Sequence, residues 1–388
     1  MLVIGNPRRD LALCTMDVTH FSASPSPHPD LAALPPQVSR RRVRRDLLRL
    51  SAIAVVAIVV VALLPGLGEI RNRFAHAAPA WIVVGCALEV ASALCYVLAF
   101  RDVFCTRMTW ATSYKIAMSE QGASSVLPAG GAGGLALGVW VLRRGGMPAA
   151  EIGRKTVAFF LLTSVPNVGT LVLLGVGLAT GVLPGHASPA LTLIPAAAAA
   201  GAIAATLALA RLSRRIEART TARPGRSRAA RLAPAFRAIA DGVEEALRVL
   251  RQHNPRLLAG LLGYMVFDIL VLWTSFRALG STPELTIVTI AYLIGQLGNL
   301  LPIPGGIGGV ELGLIGALVV YGLPAVTATA AVLLYRVVEL CIPAALGLPA
   351  FIQLRTLLRR EADAIELCRP GEVVQIIGRG AVAAKRVA

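Results

Sequence analysis

The sequence predicts an all-α polytopic membrane protein, an inverted repeat of two halves with six full spans and two re-entrant broken-helix hairpins. Three observations lead to this class. Of the 388 residues, 56% are hydrophobic and 15% are charged, with a mean hydropathy of +0.69, whereas soluble domains carry roughly 25% charged residues. The other two observations are a series of long apolar runs and a pair of matched proline- and glycine-rich clusters inside such runs.

Six apolar runs have about the 20 residues that a helix needs to cross roughly 30 Å of hydrocarbon. They are 50–68, 80–100, 156–183, 190–210, 257–279 and 326–352. Two further apolar stretches, 116–142 and 286–321, are each interrupted near the middle by proline and glycine. Irregular backbone at membrane depth is tolerated only where protein buries it or where it lines a wet cavity. The two interruptions therefore mark candidate cavity-lining segments.

The distribution of arginine predicts the orientation. Six arginines at 40–49 directly precede the first run, and 211–256 holds twelve arginines against four acids. Because cytoplasmic loops are enriched in Lys and Arg, we expect this loop and both termini to be cytoplasmic in a multi-pass protein of the plasma (inner) membrane. Both flanks of 116–142 are basic, so this stretch is expected to dip in from the cytoplasm and return. The same reasoning makes 286–321 a dip from the outside.

These expectations divide the chain into three parts. Residues 1–46 are rich in Pro and Ser and then in Arg, a composition typical of a disordered tail. Residues 47–352 form the transmembrane domain, with repeats 47–189 and 190–352 and the basic cytoplasmic loop 211–256. Residues 353–388 form a second cytoplasmic tail.

The two interruptions match each other at a constant offset of 175 residues. QGASSVLPAGGAGG at 121–134 aligns with QLGNLLPIPGGIGG at 296–309, including the glutamine and four glycines. The runs around them follow the same order but are predicted in opposite orientation, as in transporters built from inverted repeats. Glycine permits turns with positive φ and a close approach of backbone to a ligand. The candidate substrate-binding residues of the two breaks are Pro128, Gly130, Gly131, Asn299, Pro304, Gly305, Gly306, Gly308 and Gly309. The alternative is that these glycines only pack helices closely.

The second break also carries a family resemblance. The segment LGNLLPIPGGIGGVELGLIGALVVYGLP at 297–324, followed by AAVLLYRVVELCIPAALGL at 330–348, resembles the transmembrane (flippase) domain of the lysylphosphatidylglycerol synthase family. The resemblance extends over about residues 47–352. It implies handling of lipid headgroups and movement of lipid between leaflets.

Two departures from that family affect the expectation. Relatives carry an arginine and a glutamate after the proline of the first break, whereas here AGGAGG follows Pro128. The full-length synthases also have a cytosolic aminoacyl-transferase domain, for which residues 353–388 are too few. Lipid lysylation by this chain is therefore not expected.

Charged residues inside apolar helices are costly and usually functional or paired. Glu311 follows the second break, and Arg336 and Glu339 are spaced i, i+3, so they can meet on one helix face. Arg336 is expected to bind a lipid phosphate while an acidic neighbour positions it, the alternative being mutual neutralisation of Arg336 and Glu339. Glu89 and Asp268 fall in equivalent spans. One hypothesis is that they bind substrate or a proton; the alternative is that each only makes a hydrogen bond to Ser or Thr of a neighbouring helix.

The favoured function is a membrane lipid flippase for an anionic phospholipid or a polyprenyl-phosphate lipid, without enzymatic activity, cofactor or metal. The expected partners are membrane lipids with an anionic headgroup. Self-association and a separate lipid-modifying enzyme stay open. The net charge of +17 does not favour nucleic acid, because aromatic residues make up only 5% and the arginines lie between apolar runs. The alternatives are a non-transporting scaffold and a membrane-embedded headgroup transferase using Glu311 or Asp268. In the scaffold, DGVEEALRVLRQ at 241–252 would form a helix on the membrane surface.

Overall fold

The computed structural model describes residues 68–126, 131–144, 147–181, 189–221, 228–297 and 308–357, which belong to one unit, Pro35–Ala388. Every regular element within these ranges is a helix, which confirms the all-α class. In chain order the helices are α1 (Gly68–Ala75), α2 (Pro79–Phe104), α3 (Trp110–Val126), α4 (Gly131–Arg144), α5 (Ala149–Ala179), α6 (Pro189–Thr221), α7 (Arg228–Arg251), α8 (Pro255–Ala278), α9 (Leu285–Gln296), α10 (Gly309–Val320) and α11 (Ala325–Leu357).

Four of the described helices, α2, α5, α8 and α11, are long and apolar enough to cross a membrane. They coincide with four of the six predicted spans. The predicted span 190–210 lies within α6, whose described apolar portion, Leu193–Ala208, is shorter than these four. The predicted span 50–68 lies almost entirely outside the described residues.

The long helices expose large apolar side chains along their outer faces. Leu173 is 74% exposed, Val83 67% and Phe160 62%. In water such surfaces would be a strong drive to aggregate, whereas lipid solvates them. The exposed faces therefore support a position in the membrane.

Local sequence explains where the two central helices begin. Pro79 and Pro255 are the first residues of α2 and α8, where the missing N–H is not needed and the fixed φ suits a helix. Before α8, the side chain of Asn254 accepts a hydrogen bond from the backbone N–H of Arg256, at 3.0 Å. The same Asn254 amide donates to Asp102 of α2 at 2.9 Å, which fixes one end of the α2–α8 pair.

Helices α2 and α8 run antiparallel and pack along their length. Ser92 Oγ donates to the carbonyl of Tyr264 at 3.2 Å, near the middle of both helices. On one side of this contact Gly85 approaches Thr274, and on the other Gly260 approaches Ala99; in each case a Cβ on the glycine would lie 3.0 Å from the nearest atom of the partner residue. Small residues thus bring the two backbones together, as is common between membrane helices.

Each interrupted stretch consists of two short helices that pack against each other. Helices α3 and α4 flank the first break, and α9 and α10 flank the second. In the first pair, a Cβ on Gly138 would lie 2.9 Å from Oε2 of Glu120; in the second, a Cβ on Gly313 would lie 3.3 Å from Cα of Gly295. The described parts of 116–142 and of 286–321 each belong to two helices that pack on each other, and the re-entrant course of both stretches stays a prediction. These glycines on the helix flanks do serve close packing.

The packing partners cross between the two halves. Helix α3 of the first half packs on α11 of the second, and α9 of the second half contacts α5 of the first. The α3–α11 contact is the closest of these, because Gly122 and Gly347 face each other. The two halves are consequently joined by contacts between several of their helices rather than along one face.

The predicted helix at 241–252 forms the end of α7. Its apolar face is only partly covered, because Val243 is 5% exposed and packs with Ala240 near Leu161 and Leu207, whereas Leu247 is 39% exposed. Glu245 on the same helix pairs with Arg154 of α5 at 3.3 Å. Helix α7 therefore packs on α5 and α6, and only part of its apolar face is left for the membrane surface.

Candidate functional site

The candidate site lies where the second break meets the last long helix. Of the predicted break residues, Gly308 and Gly309 are described at the start of α10 and Gly131 at the start of α4. Pro128, Gly130, Asn299, Pro304, Gly305 and Gly306 lie outside the described residues. The prediction that the two breaks line one cavity therefore stays a prediction.

The start of α10 is capped by its own glutamate. Gly308 has a φ of 99°, a conformation that strongly favours glycine. Its N–H donates to Oε2 of Glu311 at 2.7 Å. This is the glutamate half of a capping box, and it places a carboxylate at the positive end of the helix. The backbone N–H of Gly308 is therefore already bound to a side chain.

Arg336 of α11 reaches both acidic neighbours. Its Nε donates to Oε1 of Glu311 at 2.7 Å, and its Nη1 donates to Oε2 of Glu339 at 2.6 Å. The three side chains are mostly buried, with exposures of 13% for Arg336, 21% for Glu311 and 24% for Glu339. The cluster carries a formal charge of −1. The i, i+3 contact of Arg336 with Glu339 was predicted, whereas the tie to Glu311 was not.

Asp268 is buried among tyrosines. It is 6% exposed and accepts hydrogen bonds from the hydroxyl of Tyr292 on α9 at 2.5 Å and that of Tyr335 on α11 at 3.1 Å. These partners are Tyr rather than the Ser or Thr considered from the sequence. The sequence offered one signal for them, since both tyrosines stand in otherwise apolar helices where a buried hydroxyl needs a partner.

Glu89 on α2 lies at the level of Asp268 on α8. It is 5% exposed, its charge interacts with those of Asp268 and Glu339, and its Oε2 has no hydrogen-bond partner among the described residues. The structure thus brings together five of the predicted site residues in two adjoining groups. They are Glu89 with Asp268, and Arg336 with Glu311 and Glu339.

Long apolar helices with lipid-compatible faces and a buried charged cluster define a polytopic α-helical membrane protein. Residues 50–347 match the family described as the lysylphosphatidylglycerol synthase TM region. The chain belongs to this family, which confirms the resemblance noted in the sequence. No curated protein matches the chain.

Proposed function

We propose that this protein is a lipid flippase that moves a lipid with an anionic headgroup, either a phospholipid or a polyprenyl-phosphate lipid, between leaflets. The family's transmembrane region supports a lipid-related membrane function. The observation that carries the proposal is the buried contact of Arg336 with Glu311, which places a cation beside a broken helix. Cations in such a position are typical of binding sites for charged solutes that cross the membrane.

The helix order supports an inverted repeat, which is an architecture of transporters. In the first half α2 to α5 begin at residues 79, 110, 131 and 149, and in the second half α8 to α11 begin at 255, 285, 309 and 325. Each start is thus displaced by 175 to 178 residues. The equivalent helices α2 and α8 are antiparallel. The Gly85–Thr274 contact also has an equivalent, because position 85 corresponds to 260 and position 274 corresponds to 99 at an offset of 175, and Gly260 contacts Ala99. A two-fold axis in the membrane plane explains both features.

The cluster of Arg336, Glu311 and Glu339 suits a transporter, which must bind a headgroup and later release it. The Nη2 of Arg336 makes no hydrogen bond to any described residue, so it can donate to a phosphate oxygen. Glu311 and Glu339 compete with the phosphate for the guanidinium, which keeps the anion from being held too tightly. Between transport events the two carboxylates spare the arginine the cost of being unpaired in a low-dielectric site.

Headgroup transfer would need Glu311 or Asp268 as a catalytic base. The hydrogen bonds that these two acids already accept favour transport instead. Glu311 accepts hydrogen bonds from Arg336 and from the Gly308 N–H. Asp268 accepts from two tyrosine hydroxyls. Hydrogen bonds to the charged form stabilise a carboxylate as an ion. Donors of the protein thus already occupy the oxygens of both acids, which does not suit a base that must take a proton from a substrate.

A leaflet-resolved assay tests the proposal. Purified protein is reconstituted in liposomes containing a fluorescent anionic phospholipid, a zwitterionic phospholipid or a polyprenyl phosphate, and an impermeant quencher reports the lipid left in the outer leaflet. We expect faster movement than in protein-free liposomes for at least one phosphate-bearing anionic lipid. Equal rates with and without folded protein for all three lipids would refute the proposal.

A further inference from the structure

Two buried carboxylates lie at the same level of the central helix pair. Glu89 and Asp268 are each more than nine-tenths buried. The Ser92–Tyr264 hydrogen bond and the Gly85–Thr274 approach lie on either side of their level and fix the register of α2 against α8. The two acids are thus held in place by the most extensive helix contact among the described residues.

The surroundings of the two acids differ. Asp268 has two hydroxyl donors, from Tyr292 and Tyr335. Glu89 has none within the described residues, and its Oε2 is buried without a partner. A buried ion without hydrogen bonds is far more costly than the neutral acid. The asymmetry therefore assigns the negative charge to Asp268 and leaves Glu89 as the group to be neutralised.

The other charges nearby do not neutralise Glu89. The titratable groups that act on this pair come from three helices, namely Tyr264 of α8, Tyr292 of α9, and Tyr335, Arg336 and Glu339 of α11. The single cation among them, Arg336, already binds Glu311 and Glu339. With both Glu89 and Asp268 ionised, these two acids together with Glu311 and Glu339 would place four carboxylates against one guanidinium.

We propose that Glu89 and Asp268 form a proton-binding site in which Glu89 carries the proton and Asp268 is the neighbouring anion. A proton is favoured over a metal ion because no group of three or more His, Cys, Asp or Glu in the described residues could hold a metal. The proton comes from water and returns to water, and no covalent bond of the protein changes. If the site opens to different sides in turn, proton release couples lipid movement to the proton gradient. This coupling, unlike proton binding itself, rests on the proposed lipid transport.

Infrared spectroscopy tests proton binding without any transport assay. The full chain in lipid nanodiscs at neutral pH should show a carboxylic-acid C=O band that is absent from Glu89→Gln. Glu69→Gln, at an exposed acid paired with Arg73, is the matched control and should retain the band. Should Glu89→Gln fail to fold, Glu89→Asp keeps an acid and should shift the band. A spectrum of folded Glu89→Gln identical to that of the wild type would overturn the proposal.

Sodium is distinguished in the same samples. Replacing K⁺ by Na⁺ at constant ionic strength should leave the band unchanged and should not raise the melting temperature. If Na⁺ abolishes the band and stabilises the wild type but not Glu89→Gln, the site is a sodium site and the proton assignment is wrong.

Coupling is measured in liposomes with an imposed pH gradient. Wild-type lipid movement should change rate when the gradient is reversed, and Glu89→Gln should respond to neither direction. Lipid movement that ignores the gradient in the wild type refutes the coupling. An absence of lipid movement refutes the proposed function and leaves the infrared result standing.

Discussion

The guanidinium of Arg336 donates from Nε to Oε1 of Glu311 across 2.7 Å, and so joins the start of α10 to the middle of α11. Both side chains are mostly buried, which makes this charge-assisted bond stronger than an exposed ion pair. Because the other oxygen of Glu311 accepts from the Gly308 N–H, whatever displaces Arg336 also disturbs the cap of α10. A headgroup that bound Arg336, as proposed, would therefore also act on the start of α10.

Replacing Arg336 by Ala should reduce lipid movement more than it reduces folded yield. The variant loses a charge-assisted hydrogen bond, which contributes roughly 1.5–3 kcal/mol, so we expect the initial rate to fall at least about tenfold. Rates are compared in proteoliposomes at equal protein density. Arg248→Ala is the matched control, because Arg248 is also paired i, i+3 with a glutamate but is 58% exposed.

The double variant Arg336→Ala, Glu339→Ala separates the two roles of the arginine. It keeps the formal charge of the cluster at −1 while removing the headgroup contact, so transport should stay low. Glu339→Ala alone should have a smaller effect, because Glu311 still positions Arg336. Recovery of transport in the double variant would assign Arg336 to structural pairing only.

The topology is tested by cysteine labelling from each side of the membrane. With the native cysteines replaced, Asp241→Cys in α7 should react with an impermeant maleimide only from the cytoplasmic side, because the segment around it is rich in arginine. Glu284→Cys, between α8 and α9, should react only from the outside. Both side chains are exposed in the structure, so lack of access through burial is excluded. Labelling of both positions from the same side would contradict the opposed dips.

The tyrosine hydroxyls on Asp268 should contribute measurably to stability. Tyr292→Phe leaves the buried carboxylate with one donor fewer, which should lower the free energy of unfolding by about 1–3 kcal/mol. Tyr335→Phe should act in the same direction. Tyr264→Phe is the control, because its hydroxyl makes no hydrogen bond to the described residues. If Asp268→Asn abolished the effect of Tyr292→Phe, the coupling would be confirmed; the same effect in both backgrounds would disprove it.

Much of the architecture follows from composition and periodicity. Four predicted spans reappear as long helices with their ends shifted by a few residues, since about 20 apolar residues in a row leave the backbone few other ways to satisfy its hydrogen bonds. The end of α9 at Gln296 and the start of α10 at Gly309 were also predictable, because glycine and proline weaken helices whatever surrounds them. These are local properties of the chain.

Contacts between segments far apart in the sequence could not be predicted from local properties of the chain. The pairing of Arg336 with Glu339 follows from their i, i+3 spacing, but its pairing with Glu311 depends on how α10 packs on α11. The tyrosines on Asp268 come from two other helices for the same reason. The apolar runs around Tyr292 and Tyr335 indicate that each hydroxyl needs a buried partner, but nothing local identifies Asp268 as that partner.

Close glycine contact between α3 and α11 should be sensitive to a single methyl group. A Cβ on Gly347 would overlap the carbonyl oxygen of Met118 and crowd Gly122, and backbone atoms cannot move aside cheaply. Gly347→Ala should therefore destabilise the protein by about 1–3 kcal/mol. Gly169→Ala, in open space within α5, should be neutral or slightly stabilising. Thermal unfolding in detergent compares the two, and equal stability would argue against the observed α3–α11 approach.

Double-cysteine cross-linking tests the two-fold relation between α2 and α8. If the halves are an inverted repeat, Gly85→Cys with Thr274→Cys and Ala99→Cys with Gly260→Cys are equivalent pairs, and both should form disulfides on mild oxidation in a cysteine-free background. The glycine positions approach their partners closely enough for this. Gly85→Cys with Gly260→Cys is the control and should not cross-link, because the two glycines lie towards opposite ends of the helix pair. Cross-linking of the first pair without the second, in folded protein, would show that the two ends of the contact are not equivalent and would remove the main structural support for the inverted repeat.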